Sequence, residues 1–199
     1  MSKRKEFIKA VGTCIYKIDA LKMTSVGKAI LTKLRQSVNQ PLSRTIIIWP
    51  FLFESMSDDL LGTSEQLTGF EKVLLNTCQL FAIHQQGQTD SVLLVDEVEK
   101  YKNLGYSLKV LRREQPSTAV DRRFNAMITA TTYEELLIHL RYLIRLVKSK
   151  DAKTKINYVG LAGDLYSFYS GYDEDVRLAW AKEYYRAGSN KEGEKENAK

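Results

Sequence analysis

Residues 133–150 read YEELLIHLRYLIRLVKSK, and this stretch decides the fold class. Leu136, Leu137, Leu140, Leu143, Ile144 and Val147 recur at helical spacing and define the inward face of a helix from Tyr133 to about Ser149. Arg141, Arg145 and Lys148 run down one side of the same helix. Immediately upstream, Val120, Phe124, Met127, Ile128 and Thr131 fall within a narrow arc at about 100° per residue. On that arc Arg122 points away from the core, and Arg123 lies on the flank, where its stem can pack while its guanidinium reaches outward. Two consecutive helices therefore present cations outside a common apolar face. Such a basic flank has two readings: a solvated surface, partly neutralised by Glu134, or a face that holds a polyanion.

Working outward from this stretch, the rest of the chain also reads as helix. A helix is expected from about Lys5 to Leu21 with Ile8, Val11, Ile15 and Ile18 inward. A second, from about Thr24 to Val38, places Val26, Ile30 and Leu34 on the core side and Lys28 and Arg35 opposite, and Pro41 ends it. The apolar run Ile46 to Phe53 has strand propensity, yet in an otherwise helical chain it is read as a buried helix interrupted near Pro50. A strong helix follows from about Thr68 to His84, carrying Phe70, Val73, Leu74, Thr77, Leu80 and Phe81. Aromatic-rich helices close the chain at about Ile156 to Phe168 and Glu174 to Tyr185. Residues 85–90 read as a loop, and 91–106 fit a helix, a β-ribbon or a partly ordered insertion equally well.

The expected architecture is all-α, a helical bundle in two small subdomains with a basic surface across them. Pro116-Ser117-Thr118 marks the hinge, dividing residues 1–115, with an uncertain insertion at 85–106, from residues 116–187. Residues 188–199, rich in Lys, Glu, Gly and Asn, are expected to form a disordered tail.

Composition narrows the function classes. The net charge of +6 is unevenly spread: residues 1–50 carry +8, 51–99 carry −8 and 100–150 carry +7, counting Lys and Arg against Asp and Glu. Two basic blocks around an acidic one would steer a phosphate backbone to one side of the molecule, or else the acidic block packs against a basic one or a second copy. Cys14 and Cys78 each sit in a helical apolar pattern, which suggests neither a metal cluster nor a disulfide framework and fits a reducing, cytoplasmic setting. The start of the chain lacks the apolar run of a signal peptide, and no apolar run approaches membrane-spanning length, so secretion and membrane insertion are not expected.

Chemistry-bearing motifs are scarce. There is no Walker loop, Gly-x-Gly-x-x-Gly, Cys-x-x-Cys or His-Glu-x-x-His. His84 ends an apolar helix, where a cation would meet the dipole, and His139 lies near the edge of a packed face; structural roles are expected for both. Asp173-Glu174-Asp175 opens a helix, where capping explains it better than Mg²⁺ binding, and Asp164 reads as a local packing or salt-bridge partner. Tyr158, Tyr166, Phe168, Tyr169, Tyr172, Trp180, Tyr184 and Tyr185 could stack bases, but their helical spacing assigns most of them to inter-helix packing. A nuclease using Asp164 and residues 173–175, or a stand-alone DNA-binding regulator without a convincing helix-turn-helix, are the competing readings.

One ordered set of short segments goes further. Ser107-Leu108 is followed by basic residues, then come Asp121-Arg122-Arg123-Phe124, the run His139 to Leu146, Ile156-Asn157-Tyr158 with Asp164-Leu165, and Trp180 to Tyr185. In this order and spacing the chain resembles the CasB family, the small subunit of the type I-E CRISPR Cascade complex. The likeness is looser through Ala29 to Arg35 and Leu80 to His84; it spans most of residues 24–186, and the segment Gln85 to Tyr106 is longer than that family leads one to expect.

The resemblance implies an all-helical, two-subdomain, non-catalytic protein with no cofactor or metal. It also implies a pair of copies among other Cascade subunits, with CRISPR RNA (crRNA), target DNA and the displaced non-target strand as partners in antiviral defence. Carried over residue by residue, it assigns nucleic-acid contact to Arg112, Arg113, Arg122, Arg123, Arg141 and Arg145, with Lys109 and Lys148 beside them. Lys28, Lys33, Arg35 and Arg44 form a second patch. Arg123, on the flank, is also placed to be an internal ion-pair partner.

Overall fold

The computed structural model describes residues 2–41, 46, 48–63, 66–95, 102–113 and 116–186, and every regular element among them is helical. Helices α1 (Lys3–Leu21) and α2 (Ser25–Gln36) form an opening pair, followed by the short α3 (Trp49–Phe53) and the long α4 (Gly69–Gln85). A short α5 (Leu104–Leu108) runs into a 3₁₀ turn at Lys109–Arg112. Helices α6 (Thr118–Ile128), α7 (Tyr133–Lys150), α8 (Tyr158–Tyr169) and α9 (Asp173–Tyr185) complete the bundle. The expectations for Arg44 and for the tail at 188–199 fall outside the described residues.

The centre of the bundle is α4. Its start is set by a capping box: the Thr68 hydroxyl accepts from the Glu71 amide, and the Glu71 carboxylate accepts from the Thr68 amide at 2.6 Å. The same carboxylate takes the Gly62 amide at 3.1 Å, so a buried acid is satisfied by backbone donors. From Val73 to Gln85 almost every side chain is buried, because α1, α2, α7 and α8 surround the helix. On α7 all six residues expected to face inward are buried.

The structure revises two sequence expectations and describes part of a segment that the sequence leaves open. On α2 the buried positions are Gly27, Leu31 and Leu34, whereas Val26 is exposed. A Cβ at residue 27 would lie 1.9 Å from the Leu21 carbonyl oxygen, so close approach of α1 turns this face inward, a constraint that periodicity alone cannot see. Pro50 lies in the first turn of α3, where its missing amide donor costs nothing, so it starts that helix rather than interrupting a longer one. In the open segment after residue 90, Val92, Leu93 and Leu94 are buried in an extended run. The Leu94 amide donates to the Ile156 carbonyl and the Ile156 amide to the Val92 carbonyl, each at 3.0 Å, forming an isolated parallel bridge.

Buried side chains from both sides of Pro116 belong to one contiguous cluster that reaches from Phe7 to Tyr184. Close backbone approach between α5 and α9 knits the halves together, with Gly105 so near that a Cβ there would meet the Trp180 carbonyl oxygen at 2.0 Å. Trp180 is itself buried and donates its indole N–H to Asp164 at 2.7 Å. Tyr158, Phe168, Trp180 and Tyr184 are core residues, with Tyr184 stacked on Phe124 at 3.7 Å between ring centroids, while Tyr169, Tyr172 and Tyr185 stay exposed.

Candidate nucleic-acid interface

Helix α4 ends at Gln85, and its last carbonyls carry the negative end of the helix dipole. Two cations from different helices converge there. Arg35, in the last turn of α2, donates to the Ala82 carbonyl at 3.2 Å and to the Thr32 hydroxyl at 2.9 Å. Lys148, in the last turn of α7, reaches the Ile83 carbonyl at 3.4 Å and the Gln86 side-chain oxygen at 3.5 Å. The sequence places Arg35 and Lys148 in separate patches; the α2–α4–α7 arrangement makes them neighbours.

Arg145 joins this group, lining with Thr32, Arg35, Gln36, Ile83 and Gln86 an open cavity of about 360 Å³. The cations feel one another. Burial, then the charges of Arg35 and Arg145, hold Lys148 below the ordinary lysine pKa, and burial does the same to the Arg35 guanidinium. Among the described residues none of Arg35, Arg141, Arg145 and Lys148 is paired with a carboxylate. Carbonyls near the α4 end hold Arg35 and Lys148, neutral side chains hold Arg141 and add to the other two, and Arg145 stays exposed without a polar partner among the described residues, which leaves the group's charge available to an anion. Thr32, Gln36 and Gln86 add neutral polar groups that sequence reading does not single out, although Thr32 and Gln36 flank Arg35 on its own helix.

Arg141 departs from its expected place outside the apolar faces. It is only 9% exposed, and it reaches the Asn39 side-chain oxygen at a long 3.4 Å. Burial first, and then the Arg145 charge, keep its guanidinium below the usual arginine range. Its stem therefore packs, and Arg141→Ala is expected to lower stability by about 1 kcal/mol in urea unfolding, whereas Arg145→Ala stays within about 0.5 kcal/mol of wild type. Equal effects of the two substitutions would contradict this assignment.

His84 lies beneath the cluster, fully buried, with Nδ1 3.1 Å from the Tyr158 hydroxyl. Burial, and secondarily the Lys148 charge, lower its pKa to about 4, so it is neutral at physiological pH. The cations that meet the α4 dipole are thus Lys148 and Arg35 rather than the histidine at the helix end. His139 is partly exposed, 3.9 Å from Glu135.

The remaining candidates divide by their partners. Arg122 is exposed and has no polar partner among the described residues. Arg123 donates to the Ala119 carbonyl at 3.2 Å and lays its guanidinium 5.2 Å from the centroid of Tyr142. Arg113 pairs with Asp151 at 3.2 Å but keeps 76% of its side chain exposed. Lys28 and Lys33 are exposed on α2, and Lys109 is half-buried in the 3₁₀ turn.

Arg112 is the most engaged of the set. Its Nε donates to Asp121 at 2.9 Å, and its guanidinium lies over the rings of Tyr184 and Tyr185. Arg123, whose flank position also allowed an internal ion pair, donates to a backbone carbonyl instead, whereas Arg112 makes such a pair.

The acidic candidates are occupied structurally. Asp164 accepts from Trp180, and burial raises its pKa. Asp173 opens α9 and pairs with Arg177, which also donates to the carbonyls of Ile128 and Ala130 and so ties α9 to the end of α6. No group of three potential metal-ligating side chains occurs among the described residues, and no helix among them is long and apolar enough to cross a membrane.

Fold and site thus define an all-helical protein with a cationic cleft, free of paired carboxylates among the described residues, where α2, α4 and α7 meet. The model of the CRISPR-associated protein Cse2 family matches residues 30–185, and the chain belongs to that family. Crystal structures carry the same fold. CasB from Thermobifida fusca aligns with a TM-score of 0.69 and 22% identity over 90% of this chain and 97% of that one. A Cse2-family CRISPR-associated protein from Thermus thermophilus aligns with a TM-score of 0.60 and 22% identity over 94% of this chain and 100% of that one. No curated protein sequence matches significantly.

Proposed function

We propose that this chain is the non-catalytic small subunit of a type I-E CRISPR RNA-guided surveillance complex, Cascade, acting in the cytoplasm in antiviral defence. In this reading it binds nucleic-acid backbone, steadying the crRNA and target DNA and holding the displaced strand of the R-loop. Its partners are the other Cascade subunits, crRNA, both DNA strands and a second copy of itself. Residues 1–115 and 116–187 act as two lobes around the shared core.

The observation that carries the proposal is the cation cluster of Arg35, Arg145 and Lys148 at the α4 C-terminus, none of them paired with a carboxylate among the described residues. Such a cluster suits phosphate, and backbone contact is all that is required of a subunit whose complex reads sequence by base pairing. Strand exchange is close to balanced energetically, so phosphate contacts to a displaced strand favour the open state. Arg113, Arg122 and Arg123, with Lys28, Lys33 and Lys109, extend the proposed surface. Arg44 is carried in the proposal from the sequence alone.

The test is to tag the chain in its own host and purify it at moderate salt. A discrete CRISPR-derived RNA and a set of partner proteins are expected to accompany it. Bare protein under gentle conditions would overturn the assignment to the complex and leave a stand-alone DNA-binding protein as the better reading.

A further inference from the structure

Helix α7 presents an outward stripe that its core face does not explain. Ile138 and Tyr142, one turn apart, are 59% and 47% exposed, and Arg145 continues the same stripe one turn further on. The six inward residues of α7 already form its buried face, so neither Ile138 nor Tyr142 is needed to bury the helix. Tyr142 makes no polar contact through its hydroxyl among the described residues, and its ring faces the Arg123 guanidinium at 5.2 Å. Arg123 is in turn held by the Ala119 carbonyl, which fixes the arginine over the ring.

Neighbouring charge and existing contacts separate Tyr142 from the other exposed tyrosines of the second half of the chain, of which Tyr106 is engaged by Lys102 both at its hydroxyl and over its ring. Tyr172 precedes the acidic turn Asp173-Glu174-Asp175, which repels a polyanion. Tyr185 is committed through its hydroxyl to Asn125 and its ring to Arg112, and Tyr169 packs edge-on against Tyr133. Tyr142 instead has the Arg123 guanidinium from α6 against its ring and Arg145 one turn further along its own helix, with the exposed Arg122 beside Arg123 in sequence. An aromatic face beside cations suits a base with its neighbouring phosphates, and only an unpaired base can leave its partner to stack there.

We propose that Tyr142 is a stacking platform for an unpaired nucleobase, so that this face prefers single-stranded nucleic acid to duplex. The inference rests on the nucleic-acid reading above and adds to it a base-directed contact that carries no sequence preference. Arg123 acts as a positioning residue, holding the ring from one side and offering its charge to the adjoining phosphate.

The experiment compares two labelled DNA strands of equal length and equal phosphate number, an oligothymidylate and an abasic strand, binding to the full-length protein. Wild type is expected to bind the oligothymidylate roughly tenfold more tightly. Tyr142→Ala should abolish that preference while leaving the abasic affinity and the salt dependence unchanged, and Tyr142→Phe should keep it. Equal binding of the two strands by wild type, or a preference that survives Tyr142→Ala, would overturn the stacking inference and leave phosphate binding standing. Failure of wild type to bind either strand at low salt would instead overturn the nucleic-acid reading itself.

Discussion

Reversing the charge of Arg122 and Arg145 together is expected to weaken nucleic-acid binding by roughly ten- to a hundredfold at moderate salt, with little loss of folding stability. Both side chains are exposed, neither has a polar partner among the described residues, and neither contributes to the buried core. Their substitution by glutamate therefore removes charge without removing packing. The distinguishing readout is the salt dependence. An arginine that neutralises one phosphate adds about one to the slope of log affinity against log salt, so the double variant should show a slope shallower by about two. Unchanged affinity and slope, in protein that still assembles and unfolds like wild type, would remove these two arginines from the interface. Arg141 does not belong in this test, because its burial would mix a folding defect with a binding one.

The second large effect is on stability and centres on Asp121. Its carboxylate accepts from Arg112 Nε, Ser117 Oγ and the Tyr184 hydroxyl, each at 2.9 Å, and so ties the 3₁₀ turn, the start of α6 and the end of α9 at one point. Asp121→Ala leaves a partly buried guanidinium and two hydroxyls without that acceptor, and is expected to cost about 2–3 kcal/mol in urea unfolding. The upper end of the range for buried pairs does not apply, because the Arg112 and Asp121 side chains remain 29% and 22% exposed.

The sign of the pH dependence follows from the same contacts. Burial acts to raise the Asp121 pKa, but the hydrogen bonds from Ser117, Tyr184 and Arg112, with the Arg112 charge, outweigh it and hold the carboxyl below the ordinary aspartate value. A depressed folded pKa adds stability above the unfolded value of about 3.9 and loses it as pH falls through the folded value. The stability gap between wild type and Asp121→Asn should therefore be constant near neutrality and narrow below about pH 4. A gap independent of pH down to acid unfolding would mean that the ionised carboxylate contributes nothing.

The inward residues of α7, and Phe124 and Met127 on α6, are legible in the sequence because a solvent-facing helix writes its core stripe at a period of about 3.6 residues. The α2 face is displaced by one position from its sequence reading because Val26-Ile30 and Gly27-Leu31 share the same spacing, and only the approach of α1 selects between them. Period likewise separates inward from outward on one helix but does not say how deep a flank lies. Arg141 and Arg145 are one turn apart on one side of α7, yet the first is buried and the second open to solvent.

By itself the sequence determined the helical class, the limits of most helices, the basic character of the region around α6 and α7, and the family through an ordered set of short segments. These are properties of local spacing and composition, which chain order preserves. Only the tertiary structure decided that Arg35 from α2 joins Arg145 and Lys148 from α7 at the end of α4, that Arg112 turns inward to Asp121, and that Tyr142 stays open beside Arg123. The physical reason is that the negative end of a helix favours cations beside it, and here the carbonyls that meet Arg35 and Lys148 belong to a helix distant in the chain from both.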